Sequence, residues 1–317
     1  MQNVIFGRSQ TMKVVKERLD EVAHTDIPIL LEGETGTGKN LLAKYIHDLS
    51  PRKESRFVIV DGATLSGNLM ESELFGHEKG SFTGAGSAKI GRLELAHSGT
   101  LFLNEAQNLS LDTQAKLLEV VENGTFYRVG GHQEIHSSFR LIAATNRNLD
   151  KLISAGRFRE DFYYRLEHAV IRLPPLRERR EDILLLVECF LQKFNQSTGK
   201  SALLSDEAKE LLLHYHWPGN IRELSNKIEH AVAFCQNSIL LPKDFNLNMR
   251  REALLLEVMN NGGNMLEEME RRLIVMVLEE VNYNLTQAST MLGIGRNTLK
   301  RKMEAYKLGR NDDVQNG

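Results

Sequence analysis

Apolar residues fall along this chain in two rhythms. Val14, Val15, Leu19, Val22 and Ala23 recur at helical spacing and lead into IPILLEG, a short apolar run closed by glycine, which predicts a helix feeding a buried strand. Runs of strand length return at FVIV (57–60), TLFL (100–103), FRLIAAT (139–145) and HAVIRL (168–173), with helical patterns such as LDTQAKLLEVVEN between them. Strands that alternate with helices imply a parallel sheet covered on both faces, an α/β fold. After LPPLRERREDI the rhythm is helical throughout, in ILLLVECFLQKFNQ, LSDEAKELLLHY and NIRELSNKIEHAVAFC; Ser205 is placed as an N-cap and WPGN breaks the chain before the last helix. The division expected is an α/β unit over 1–175, a helical unit over 176–240, a polar linker over 241–264 that contains NNGGN, a compact helical unit over 265–310, and a frayed tail over 311–317.

Composition narrows the class. With 317 residues and 41% hydrophobic content the chain can bury a real core and divide into two or three domains. No apolar run approaches the roughly 18 to 20 residues a bilayer requires, and MQNVIFGRSQ lacks the layout of a signal peptide, so the expected location is the cytoplasm, without membrane attachment. Cys189 and Cys235 stand far apart in helical apolar stretches, with neither a disulfide framework nor metal-ligand spacing around them. The net charge of -2 hides a local excess: between Asn282 and Arg310 six basic residues face one acid, Glu304. That patch reads either as a surface for a polyanion or as a solvated helix face.

The chemistry begins at GETGTGKN, comprising Gly33, Glu34, Thr35, Gly36, Thr37, Gly38, Lys39 and Asn40, directly after a strand and directly before a helix. In that context glycines let backbone N–H groups cradle phosphate oxygens, the helix N-terminus favours their charge, and Lys39 reaches the β and γ phosphates. ATP is the expected ligand, with Mg2+ as its companion, although Asn40 stands where a Ser or Thr metal ligand is usual. The second strand motif, GTLFLNEAQ, ends in Asn104-Glu105 where such enzymes usually present two acids, one ordering magnesium and one handling water. Glu105 keeps the second task. An amide at 104 removes a Coulomb term of about 1 kcal/mol in water-like surroundings, or about 4 kcal/mol at an effective dielectric of about 20. Asn104 can still accept from a metal-bound water, so weakened magnesium handling is expected without loss of binding. Asn146, at the end of LIAATN, reads as a γ-phosphate sensor or as an ordinary helix cap; Arg159 and Arg165 in RFREDFYYRL read as arginine fingers reaching another subunit's nucleotide or as surface ion-pair residues.

Taken together, ESELFGHEKGSFTGA (71–85), GTLFLNEAQ, RFREDFYYRL, LPPLRERREDI and WPGNIREL closely resemble the AAA+ domain of bacterial enhancer-binding proteins that activate the sigma-54 form of RNA polymerase. The resemblance covers nearly the whole chain. It implies a P-loop AAA+ sheet with a helical lid, self-association into a ring that is a hexamer in the family, and ATP turnover that remodels a closed promoter complex. It makes Lys39 a phosphate ligand, Glu105 the catalytic carboxylate, Asn146 the first sensor, Arg159 and Arg165 the trans-acting arginines and Arg222 the second sensor, from the lid. Gly80, Ser81, Phe82, Thr83, Gly84 and Ala85 become the sigma-54 contact: glycines and a small residue supply a mobile backbone, with Phe82 and Thr83 at the tip.

Three positions depart from the family pattern. Ser81 replaces an alanine, a change expected to be tolerated; Asn104 replaces the aspartate; Asp61, in FVIVDGATL, replaces an asparagine that switches the catalytic glutamate. Asp61 facing Glu105 would bring two carboxylates together and disturb hydrolysis. Alternatively Asp61 and Asn104 compensate, exchanging where one acid sits.

At the C-terminal end, Leu266, Met269, Leu273, Val277 and Val281 recur at helical spacing, TQASTMLG makes a short second helix and RNTLKRKMEAYKL a third. With Ala288, Leu292, Ile294 and Leu299 as its core pattern, this resembles a Fis-type helix-turn-helix DNA-binding domain. Arg296, Asn297 and Thr298, with Lys300 and Arg301 one turn on, suit base edges and phosphates, and pairing of two such units implies palindromic upstream sites. The ATPase motifs start at once with NVIFGRSQ, so a separate regulatory protein is expected to exert control. The reading is a sigma-54-dependent transcriptional activator; the alternative is a hydrolysis-impaired regulator on the same scaffold, a repressor, nucleotide sensor or hetero-oligomer partner.

Overall fold

The strand-length apolar runs become one five-stranded sheet. The computed structural model describes residues 6–64, 68–82, 85–235, 238–247, 270–271, 273–275, 277–278, 281, 283–306 and 308. Thr83 and Gly84, residues 248–264, Lys307, Arg310 and the tail 311–317, for each of which an expectation was stated, lie outside them. The first compact unit is Met1–Asn246 and the second Leu247–Gly317.

In chain order the first unit contains α1 (Gln10–Ala23), β1 (Ile29–Glu32), α2 (Lys39–Leu49), β2 (Phe57–Asp61), α3 (Asn68–Phe75), β3 (Gly76–His77), β4 (Lys89–Ile90), α4 (Arg92–Leu95), β5 (Thr100–Asn104), α5 (Leu111–Asn123), β6 (Thr125–Tyr127), β7 (Glu134–His136), β8 (Arg140–Thr145), α6 (Leu149–Ser154), α7 (Glu160–Leu166) and β9 (Ala169–Arg172). The helical part follows as α8 (Ile183–Thr198), β10 (Leu203–Leu204), α9 (Asp206–His214), α10 (Asn220–Phe234) and β11 (Ile239–Leu240). The sheet order is β2-β5-β8-β1-β9, with every pairing parallel.

Burial follows from the topology. All six residues of β8 are buried, as a central strand covered on both faces demands. One face packs Leu30, Leu101, Leu103, Leu141 and Ala143 against Leu74, Leu117 and Phe162; the other packs Ile29, Leu31, Phe102 and Ile142 against Leu19, Leu42 and Ile46. Because the strands are parallel, the ends of β1, β2, β5 and β8 open on one edge, and Gly33, Asp61, Asn104, Glu105 and Asn146 gather there.

Helix ends obey local chemistry. Ser110 caps α5 through the Thr113 N–H and Gly124 closes it at φ +72°; Ser205, the one cap expected from the sequence, caps α9 through the Ala208 N–H. Two small antiparallel hairpins, β3–β4 and β6–β7, have no counterpart in the sequence reading. The boundary after the helical part also differs: residues 241–246 continue the first unit, since the turn Pro242–Phe245 buries Phe245 completely. The apolar LLPKDF, rather than the polar NNGGN, governs those residues.

In the second unit, Glu270, Arg271, Leu273–Val275, Val277 and Leu278 are helical, followed by helices Leu285–Leu292 and Arg296–Ala305. Ile274, Val277, Leu278, Ala288 and Leu299 form its core, with Val281, Leu292 and Ile294 packed against it. Leu273, read from spacing as part of the apolar face, is instead 49% exposed; the inward face runs through 274, 277, 278 and 281.

Candidate nucleotide and partner sites

β1 ends at the phosphate loop because glycine alone fits its path. Gly36 and Gly38 have φ of +81° and +106°, and a Cβ on Gly36 would lie 2.3 Å from the Gly219 carbonyl oxygen. Lys39, on the first turn of α2, donates to the carbonyls of Gly33 at 2.6 Å and Glu34 at 2.9 Å. Burial pushes its ammonium down to about 8, against the opposing pull of Glu105. Lys39, Asn40, Asn104, Glu105, Ile221 and Arg222 line one cavity of ≈ 310 Å³. Arg222 thus lines the same cavity from α10.

The helical part grips the loop residue by residue. Arg177 forks onto Glu34 with bonds of 2.8 and 2.6 Å and holds its carboxyl below the usual range. Buried Asn220, at φ +53°, donates to Glu34 Oε2 and to the Thr35 carbonyl, and accepts from the Leu176 N–H. The Ile221 and Arg222 N–H groups donate to the Gly36 carbonyl, and Arg179 to that of Thr37. The Glu34 side chain therefore faces the lid, and Thr37 is 2% exposed with its hydroxyl spent on the Glu34 carbonyl.

Asp61 and Asn104 are register partners at the ends of β2 and β5, and Asn104 Nδ2 donates to Asp61 Oδ2 at 3.4 Å. The acid therefore contacts Asn104 rather than facing Glu105, while its other oxygen accepts from the Ala63 N–H. Glu105 takes the left-handed conformation, φ +53°, beneath Gly62, where a Cβ would meet the Glu105 carbonyl at 2.5 Å. Its Oε2 accepts from Asn108 Nδ2 at 2.9 Å. Asn146 is not a helix cap: Asn148 caps α6, and Asn146 donates to Thr35 Oγ1 at 2.8 Å. A partner that sequence reasoning missed, Gln107, donates to Asn146 Oδ1 at 2.9 Å; the run of amides in NEAQN was the available signal.

Neither Arg159 nor Arg165 lines this chain's own nucleotide cavity. Arg159 pairs with Asp161 at the surface, and Arg165 donates to the Val121 carbonyl at the end of α5. In the GSFTGA loop, the Gly80 N–H donates to the Ala85 carbonyl and Ala85 is buried. Phe82, expected at the tip, is half-buried, edge-on to His77 with ring centroids 5.0 Å apart. The Ser81 hydroxyl is buried without a partner among the described residues, and Gly130, where a Cβ would come 2.6 Å from that of Ser81, makes room for it.

In the second unit Arg296, Asn297, Lys300 and Arg301 are exposed on one helix, whereas Thr298 is half-buried. Lys302 is tied to Glu270. No helix among the described residues is long and apolar enough to cross a membrane.

Sheet order, phosphate loop and lid contacts define an AAA+ P-loop ATPase, joined to a helix-turn-helix unit. Residues 5–172 match the sigma-54 interaction domain, 177–256 the AAA+ ATPase lid domain and 265–306 the Fis family of bacterial regulatory proteins. The response regulator protein PilR of Pseudomonas aeruginosa is 40% identical over 315 residues, 98% of this chain and 70% of the relative. The regulatory protein AtoC of Escherichia coli is 42% identical over 95% of this chain and 67% of its own length. The Nif-specific regulatory protein of Klebsiella pneumoniae is 41% identical over 93% of this chain but only 57% of its own. NtrX from Brucella abortus, solved in complex with ATP, superposes with a TM-score of 0.73 at 30% identity over 97% of this chain and 70% of that one. The chain belongs to the sigma-54 interaction family: it is an AAA+ ATPase and a DNA-binding transcriptional activator.

Proposed function

We propose that this chain is a hydrolytically competent activator that assembles into a ring, a hexamer, and uses ATP with Mg2+ to remodel sigma-54 RNA polymerase at promoters. It acts in the cytoplasm from palindromic upstream DNA sites, under the control of a separate regulatory protein. The residues fit the nucleotide. Lys39 holds carbonyls that a phosphate would replace as its partners, and the loop follows the positive-φ path that Gly36 and Gly38 allow. Mg2+, when bound, screens phosphate charge; Asn104 would hold its water shell through Oδ1. Glu105 positions and deprotonates the attacking water, Asn146 and Arg222 face the phosphates, and Arg159 and Arg165 serve the adjoining subunit. Gly80, Ser81, Phe82, Thr83, Gly84 and Ala85 contact sigma-54.

The observation that carries competence is the Asp61–Asn104 hydrogen bond. The amide uses its N–H on Asp61, which leaves its oxygen for the metal side, and a carboxylate stays one contact behind it. The amide itself favours the second reading, a subunit that binds nucleotide without turning it over. Steady-state ATP hydrolysis across protein concentration separates the two. Wild type should gain specific activity with concentration, Glu105→Ala should lose at least about 100-fold, and Asp61→Asn/Asn104→Asp should retain activity, since it returns the acid to β5 without adding one. No turnover in wild type would establish the second reading.

A further inference from the structure

The tight turn Ala106–Asn108 follows β5 and aims two amides in two directions. Asn108 Nδ2 reaches Glu105 Oε2, while Gln107 turns inward, 7% exposed, and reaches Asn146 Oδ1 from the end of β5 to the end of β8. A carboxamide has one accepting and one donating end. With Oδ1 occupied by the Gln107 N–H, Asn146 must turn its Nδ2 toward the phosphate loop, and there it donates to Thr35 Oγ1 at 2.8 Å. Without the Gln107 donor, the amide of Asn146 is free to rotate and present its oxygen to the loop, which repels a phosphate instead of binding one. Gln107 also has a buried Oε1 with no partner among the described residues. The donation to Asn146 is thus the hydrogen bond that this side chain makes among the described residues.

We propose that Gln107 is a positioning residue: it locks Asn146 as a donor toward the loop, and so sets how strongly the site prefers a nucleoside triphosphate over the diphosphate. The proposal rests on the reading of Asn146 as the residue facing the terminal phosphate. It belongs to this chain's own sequence, since it requires a long amide two residues after the catalytic carboxylate.

The test measures ATP and ADP dissociation constants in Mg2+ by displacement of a fluorescent nucleotide from the full chain, in a Glu105→Ala background so that no ATP is consumed. The variants are Asn146→Ala, Gln107→Glu, which replaces the donor with an acceptor, and Gln107→Met, which removes it without burying a charge. Each should lower the preference for ATP over ADP by about tenfold, the equivalent of one hydrogen bond to a charged group, with ADP affinity unchanged. If Asn146→Ala lowers the preference and both Gln107 variants leave it intact, Gln107 does not orient the sensor, and the reading of Asn146 survives. If Asn146→Ala leaves the preference unchanged, that reading falls and the role of Gln107 with it. Equal weakening of ATP and ADP in the Gln107 variants would assign the residue to packing and overturn the proposal.

Discussion

Lys39 carries a pH signature that follows from its burial. Its folded value near 8 lies below the ordinary lysine value of 10.5, so between the two the unfolded chain holds a proton that the folded chain lacks. Stability from this group is therefore lowest below about 8 and rises as pH climbs toward 10.5. Nucleotide binding has the opposite slope, because phosphates require the ammonium: affinity should fall as pH rises through about 8, with proton uptake on binding above that point. Lys39→Arg should abolish this pH dependence, since a guanidinium stays charged; calorimetric titration of ATP at pH 7 and pH 9 measures both. The neighbouring pair obeys the same arithmetic of charge. Asn104→Asp alone would set two carboxylates opposite each other in a cross-strand pair, which is why only the double exchange preserves the charge pattern.

Between elements, the phosphate loop and the helical part are joined by polar bonds, from backbone N–H groups, the buried amide of Asn220 and the guanidinium groups of Arg177 and Arg179. Gly36→Ala would put a Cβ 2.3 Å from the Gly219 oxygen at a positive φ, and should destabilise the fold by about 1–3 kcal/mol while lowering ATP affinity. Asn220→Gly keeps the backbone geometry and removes the side-chain bonds to Glu34, Thr35 and Leu176; a loss of about 1–3 kcal/mol is expected, read from urea unfolding. Such joints explain what the sequence could and could not tell. The sheet strands were legible because burial on both faces writes uninterrupted apolar runs, and the loop because glycine spacing is rigidly tied to phosphate geometry. The hairpins β3–β4 and β6–β7 were not, since strands of two or three residues have no measurable period. Nor was the turning of Glu34 toward Arg177 and Asn220, which lie 143 and 186 residues away along the chain. Leu273 shows the remaining ambiguity: two neighbouring helical faces share Val277, and only packing tells which one turns inward.

At the scale of the whole molecule, motor and DNA-reading unit have separate interiors. The expected DNA contacts divide by chemistry: Lys300→Ala or Arg301→Ala should each flatten the salt dependence of duplex binding by about one unit of slope if they meet phosphates, leaving ATP hydrolysis unchanged. A filter-binding series in potassium chloride measures it. Arg296 and Asn297, at the start of the same helix, are exposed and are the side chains expected at base edges. The core under that helix, Ile274, Val277, Leu278, Ala288 and Leu299, is drawn wholly from residues beyond the motor. Among the described residues that core shares no side chain with the core clusters of the motor. The address on the chromosome and the engine that acts there are thus free to change at different rates, and a lineage can redirect an old engine to a new gene by altering a few exposed side chains on one helix.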